Sequence, residues 1–307
     1  MTECFYLRTE DIGGCFDHPN YIYTCTLGTK ILTPEITCRK CKINSLLSKH
    51  NEEANKLFDR KNIVGLFLHG SQNYGLDLPS SDVDTKLLIT PTLEDIGMGR
   101  QPKSHTHVLD NGEHLDYKDV RFYIDTIKKQ NPNFVEILFT DYKILNPYYS
   151  DLFYELINEK ENIGRYDRYA TLQAIRGSLL NKLHVLKNPS TEDKKEIIEK
   201  YGYIPKEFCN ALRYVYFIKA YIAERPYVEC LRPTPSEDYK EIKRGCLSLQ
   251  EVDKLIETDI NPVITLCEEY LENYNGEPNK KIEKLLNDVK IEIVKRSLRN
   301  ELNVSSC

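Results

Sequence analysis

Hydrophobic periodicity changes once along this 307-residue chain, and that change limits the folds that the chain can adopt. Between residues 62 and 118, short apolar runs alternate with loops rich in Gly, Pro and Ser, which is typical of β-strands. From about Asp151 onward, apolar residues recur at the 3.6-residue spacing of amphipathic helices. We therefore predict an α+β fold in which a small mixed β-sheet is followed by a helical half.

The chain accordingly divides into three predicted parts. Residues 1–60 form a Cys-rich extension that ends in a lead-in helix, residues 61–150 form the domain with the sheet, and residues 151–307 form the helical domain. Local capping signals predict where several helices begin, at Asp119, at Pro205 and at Ser248 with Glu251.

Net charge and hydropathy disfavour two classes of protein. Lys and Arg number 42 and Asp and Glu 47, giving a net charge of −5, whereas proteins that clamp long duplexes need a basic surface. The most prominent apolar run, Ile63 to Leu68, is too short to span a bilayer, and the N-terminus does not resemble a signal peptide. We expect a cytoplasmic protein with reduced cysteines and no membrane partner, and the sequence leaves its oligomeric state open.

One segment combines residues that suit a metal ion and a phosphate. The first apolar strand leads into Gly70-Ser71, a loop of about ten residues follows, and Asp82-Val83-Asp84 then opens a second strand. Strand alternation puts Asp82, Asp84 and Lys86 on one face. Two carboxylates so close together need a counter-charge, and Mg²⁺ prefers a few carboxylates combined with phosphate oxygens.

The Gly-Ser turn supplies the phosphate side of this prediction. Gly70 lets the backbone approach a phosphate closely, and Ser71 offers a hydroxyl and an N–H to the same group. These features suit a nucleoside triphosphate held by its phosphates and by carboxylate-bound metal. In such two-metal chemistry, one ion activates the incoming hydroxyl and the other stabilises the leaving pyrophosphate.

A third carboxylate is expected on a neighbouring strand. In the run from Glu113 to Lys118, the apolar residues Leu115 and Tyr117 alternate with polar ones, so Asp116 faces away from the core. Asp119 is the alternative, although capping alone explains its position before an amphipathic helix.

Together, Gly70, Ser71, Asp82, Asp84 and Asp116 resemble the signature of the nucleotidyltransferase superfamily of DNA polymerase β. The longer strings Gly-Ser-Gln-Asn-Tyr-Gly and Asn-Pro-Asn-Phe-Val-Glu are similar to a clade of bacterial and phage members of that superfamily. The resemblance covers about residues 60–250, and Asn210 occupies a position where histidine is expected.

The resemblance implies a palm-like catalytic domain over residues 61–150 and a Mg²⁺- or Mn²⁺-dependent enzyme. It would transfer an NMP or dNMP from a nucleoside triphosphate to a hydroxyl on a nucleic-acid end, a protein or the chain itself. Asp82 and Asp84 would hold both metals, and Asp116 would hold the catalytic metal and take the proton of the acceptor. A role in phage defence or nucleic-acid repair is an expectation from the same resemblance.

Nucleotide-binding residues are expected on both sides of such a site. Gly70 and Ser71 would hold the phosphates. Lys206, Asn210 and Arg213 share one helix face, which either faces the cleft and binds the nucleotide or is solvated. Tyr74 either stacks on the base or packs beneath its loop.

Two other interpretations remain open. Cys38 and Cys41 form a Cys-x-x-Cys pair which, with Cys15, His18 and Cys25, would make the N-terminal region a Zn²⁺-binding module, although the sequence has no second such pair. Alternatively, the same fold would serve as a nucleotide-sensing or toxin-neutralising partner without turnover.

Overall fold

A computed structural model of the protein describes the backbone of residues 7–11, 21–25, 30–31, 39–189 and 191–304, and the side chains of residues 47–189 and 191–303. Within these ranges the strands are β1 (Leu7–Asp11), β2 (Tyr21–Cys25), β3 (Lys30–Ile31), β4 (Ile63–His69), β5 (Asp84–Ile89), β6 (Ser104–Val108), β7 (His114–Asp119) and β8 (Lys143–Leu145). The helices are α1 (Arg39–Leu57), α2 (Ser71–Tyr74), α3 (Leu93–Gly97), α4 (Val120–Lys128), α5 (Pro132–Val135), α6 (Ser150–Asn158), α7 (Lys160–Gly164), α8 (Arg168–Val185), α9 (Glu192–Tyr201), α10 (Pro205–Ile222), α11 (Tyr227–Leu231), α12 (Ser236–Arg244), α13 (Leu249–Leu255), α14 (Asn261–Asn273) and α15 (Lys280–Val304).

A mixed five-stranded sheet carries the residues of most interest. Its strand order is β6-β7-β5-β4-β8. The central pair β5 and β7 is parallel, and the other pairs are antiparallel. The parallel register sets Asp84 opposite His114 and Lys86 opposite Asp116. Strands β1 to β3 form a separate antiparallel sheet.

Apolar side chains cover both faces of the five-stranded sheet. On one face, Leu66 and Leu87 pack in a cluster that also includes Leu47 and Ala54 of α1. On the other face, residues such as Phe67 belong to a larger cluster that continues through α4, α8 and α10 into α15. The sheet and the helical half therefore share one continuous core. No helix in the described part of the chain is both long enough and apolar enough to cross a membrane.

The α+β class and the mixed sheet predicted from the sequence are confirmed. The Asp119 side chain caps α4 by accepting a hydrogen bond from the Arg121 N–H. Ser248 and Glu251 form the predicted capping box of α13, and Pro205 begins α10. The predicted lead-in helix is α1, which begins at Arg39 and ends at Leu57.

The sequence did not predict two short elements of the fold. The short edge strand β8 and the single-turn helix α2 were not predicted, because three or four residues are too few for a periodic signal. The boundaries of the three predicted parts, at residues 60/61 and 150/151, stay a prediction.

Candidate functional site

A cleft of about 430 Å³ separates the sheet from α8, α10 and α12. The ends of β4, β5 and β7 form one wall, and the three helices form the other. All the site residues predicted from the sequence line this cleft, namely Gly70, Ser71, Tyr74, Asp82, Asp84, Asp116, Lys206 and Arg213.

Three potential metal ligands meet where β5 and β7 begin. One ligand atom from each of Asp82, Asp84 and His114 lies within 4.8 Å of the other two. Nδ1 of His114 is 3.0 Å from Oδ1 of Asp84, because the two residues are opposite each other in the parallel register. Burial and the charge of Asp82 raise the pKa of Asp84, while His114 opposes that shift. This group has the chemistry of a divalent-cation site.

Asp116 lines the same cleft but is already paired. Its Oδ2 lies 2.7 Å from Nζ of Lys86, and its Oδ1 lies 2.6 Å from Nζ of Lys118 and accepts a hydrogen bond from Thr106 at 3.0 Å. Burial alone would raise the pKa of Asp116, but the two lysines outweigh this effect and hold the pKa below its usual value. Asp116 is therefore a stable carboxylate with a low affinity for protons.

Asp119, the alternative third carboxylate, serves a different purpose. Its side chain is 1% exposed, caps α4 and binds the Arg121 guanidinium at 2.7 Å. It does not line the cleft within the described part of the chain.

The turn at Gly70 brings the backbone close to the carboxylates. Gly70 has φ +77° and ψ −153°, a conformation that is essentially restricted to glycine. A Cβ atom at Gly70 would lie 3.5 Å from Oδ2 of Asp84, so the turn and the potential metal ligands are direct neighbours. Ser71 begins the single-turn helix α2 immediately after this turn.

The cleft carries more positive than negative side chains, although the whole chain has a net charge of −5. The basic residues are Lys86, Lys118, Lys182, Lys206, Arg213 and Lys243, and the acidic ones are Asp82, Asp84, Asp116 and Glu136. Lys182 is paired with Glu207 at 2.7 Å. Lys206 is exposed and makes no ion pair with another described residue. A polyanionic ligand in the cleft would therefore be attracted by the basic side chains that line it and by the ammonium group of Lys206.

Arg213 and Tyr74 pack against each other in the wall of the cleft. The guanidinium carbon of Arg213 is 4.0 Å from the centre of the Tyr74 ring and 4.6 Å from that of Tyr214. Arg213 is 5% exposed and Tyr74 is 7% exposed. The geometry thus favours packing of Tyr74 beneath its loop, with Arg213 stabilising it through cation–π contact.

Two titratable residues in the cleft were not identified from the sequence as site residues, namely the buried Glu136 and the half-buried His69. Burial raises the pKa of Glu136 to about 7. Burial and the charge of Lys86 lower the pKa of His69 to about 3, and Nε2 of His69 has no hydrogen-bond partner among the described residues. The available sequence signal was the position of Glu136 inside the apolar run from Phe134 to Phe139, since a carboxylate there is expected to be buried.

Comparison of the chain with protein-family models and with curated proteins gives no match. The residues of the predicted Zn²⁺ site lie outside the part of the chain whose side chains are described, namely Cys15, His18, Cys25, Cys38 and Cys41. The zinc site therefore stays a prediction.

Proposed function

We propose that this protein is a divalent-metal-dependent nucleotidyltransferase, and that its mixed sheet is the palm-like sheet of the DNA polymerase β superfamily. One observation carries the proposal: the Asp82, Asp84 and His114 group lies beside the Gly70 turn, and its two aspartates line a cleft that is rich in basic side chains. This combination suits a molecule with several phosphates and a bound cation.

The donor set fits the cation that the reaction needs. Asp82 and Asp84 would hold it, and burial of Asp84 beside Asp82 makes a counter-charge favourable. When bound, the cation would neutralise the triphosphate charge and lower the pKa of the attacking hydroxyl.

The chain's own residues supply position and further charge. The backbone at Gly70 and Ser71 would bind phosphate oxygens, since only glycine allows this turn to approach them closely. Lys206 would pair with the triphosphate from the opposite wall because it has no other ion-pair partner among the described residues. The Asp116 carboxylate holds Lys86 and Lys118 at the floor of the cleft.

In the proposed reaction the acceptor hydroxyl oxygen forms a bond to the α-phosphorus, and the bond from that phosphorus to the pyrophosphate oxygen breaks. The hydroxyl proton leaves to solvent or to a cleft carboxylate, and pyrophosphate departs. Positioning and charge stabilisation lower the barrier, so no covalent protein intermediate is required. The acceptor belongs to a nucleic-acid end, a protein side chain or the chain itself.

The test is incubation of the full-length protein with each of the four NTPs and four dNTPs, with Mg²⁺ or Mn²⁺ and with DNA and RNA oligonucleotides present as acceptors. Pyrophosphate release is measured, and products are separated by gel electrophoresis and intact-mass analysis. We expect release with at least one nucleotide, and a loss of at least about a hundredfold in Asp82→Ala and Asp84→Ala. The matched control is Asp193→Ala, which removes an exposed carboxylate in the first turn of α9.

The outcomes separate the possible functions. Release that persists in both cleft variants would refute the proposed site. Nucleotide binding without release would favour the sensing or neutralising partner over the enzyme. The product analysis identifies the acceptor as a nucleic-acid end or as the protein itself.

A further inference from the structure

We propose that His114, rather than Asp116, is the third metal ligand of the cleft, and that the site consequently prefers Mn²⁺ over Mg²⁺. This inference rests on the proposed function, because it concerns the cation that the transfer reaction would use. It departs from the sequence-based expectation that three carboxylates hold the metal.

The register of β5 and β7 places the imidazole of His114 beside Asp84. In the parallel pair of β5 and β7, the residue opposite Asp84 is His114, and Asp116 lies two residues further along, opposite Lys86. The ligand atoms of Asp82, Asp84 and His114 are mutually within 4.8 Å, and the side chain of His114 is 43% exposed. An incoming cation can therefore reach all three groups.

The partners of Asp116 argue against its use as a ligand. Both carboxylate oxygens already accept from ammonium groups, at 2.7 Å from Lys86 and 2.6 Å from Lys118. Lys86 is itself 2% exposed and lies 4.5 Å from the centre of the Phe134 ring, so it has little room to move away. A divalent cation at Asp116 would have to displace one lysine and remain beside the other, which like-charge repulsion opposes.

The donor set then determines the preferred metal. Mg²⁺ strongly prefers oxygen ligands in a near-ideal octahedron, and it loses water reluctantly. Imidazole is a better ligand for divalent transition metals, and Mn²⁺ is the transition metal among them that also suits carboxylate and water ligands. Replacing the third carboxylate with His114 therefore weakens Mg²⁺ binding more than Mn²⁺ binding.

Mn²⁺ binding to the full-length protein without nucleotide tests the inference directly. Free Mn²⁺ is counted by its EPR signal to obtain Kd, Mg²⁺ is added as a competitor, and electron spin-echo modulation detects nitrogen bound to the manganese. We expect nitrogen modulation in the wild type, and its loss in His114→Ala together with weakening of Mn²⁺ binding by at least about tenfold. Asp116→Asn should keep the modulation and bind Mn²⁺ within about threefold of the wild type.

Two further variants sharpen the comparison. His114→Asp recreates a three-carboxylate set, so the ratio of Mg²⁺ to Mn²⁺ affinity should rise. His184→Ala removes an exposed imidazole on α8 outside the cleft lining and should change nothing. Circular dichroism establishes that each variant is folded.

The alternative results are distinct. Absence of nitrogen modulation in the wild type, or a loss of Mn²⁺ binding in Asp116→Asn but not in His114→Ala, would overturn the assignment of His114 while leaving the metal site intact. Unchanged Mn²⁺ binding in Asp82→Ala would instead remove the metal site on which the proposed function depends.

Discussion

Glu136 lines the cleft, and its titration tests whether the carboxyl is as deeply buried as the structure indicates. Its side chain is 1% exposed, and burial raises the pKa of its carboxyl from 4.5 to about 7. Hydrogen bonding to Tyr74 and Asn73 and attraction to Arg213 and Lys86 oppose the shift without cancelling it. In the folded protein the neutral acid is therefore favoured over a wider range of pH than in the unfolded chain.

The sign and size of the effect on stability follow from this shift. Because the pKa is higher in the folded state, the contribution of Glu136 to stability is fully present below about pH 4.5 and is lost as the pH rises through about 7. Each pKa unit corresponds to about 1.4 kcal/mol, so the whole effect is about 3 kcal/mol. Glu136→Gln keeps the shape of the neutral acid and cannot ionise. We expect its free energy of unfolding, relative to the wild type, to increase by about 3 kcal/mol between pH 4.5 and pH 8.

Urea unfolding followed by circular dichroism at several pH values measures this difference. Comparison with the wild type at each pH largely cancels the titration of groups that are distant from Glu136. Glu196→Gln, which changes an exposed glutamate on α9, is the control and should follow the wild-type pH profile. A free-energy difference between Glu136→Gln and wild type that stays constant across this pH range would refute the reasoning.

Three other substitutions test the walls of the cleft. Gly70→Ala places a Cβ on a backbone conformation that only glycine adopts easily, 3.5 Å from Oδ2 of Asp84. We expect the free energy of unfolding in urea to fall by about 1–3 kcal/mol and Mn²⁺ binding measured by EPR to weaken. Equal stability of the variant and the wild type would contradict the strained turn. Lys206→Ala removes an exposed cation, so KM for the nucleotide should rise severalfold and become less salt-dependent with unchanged unfolding. Lys243→Met removes the ammonium that donates to the Leu76 carbonyl at 3.0 Å and to Ser81 Oγ at 3.2 Å. We expect the free energy of unfolding to fall by about 1 kcal/mol and the loop between α2 and β5 to be cleaved faster by proteases. A loop that stays as protease-resistant as in the wild type would argue against a role of Lys243 in holding it.

The local part of the site was predictable from the sequence because it depends on short-range rules. Alternation along β5 puts Thr85 and Leu87 in the core, which leaves Asp84 and Lys86 on the side of the cleft. The requirement for glycine at position 70 is also local, because it follows from the backbone angles of that one residue.

The neighbours across strands were not predictable by the same rules. Which residue of β7 lies beside Asp84 depends on the register of a parallel pair, whose two strands are joined by a long crossover rather than a tight turn. Alternation correctly put Asp116 on the cleft side of β7, but it gave no information on the two lysines that bind it. The burial of Arg213 likewise depends on Tyr74, which is distant in sequence.

The helical half does more than enclose the cleft, because it fixes the position of the loop between α2 and β5. Lys243 of α12 donates to the loop between α2 and β5, and Arg213 of α10 covers the Tyr74 ring at its base. Phe67 of the sheet lies in the same continuous core as the helices. The loop that carries Asp82 is therefore held from both sides, and the spacing of the candidate metal ligands depends on packing between the sheet and the helices as much as on the sheet itself.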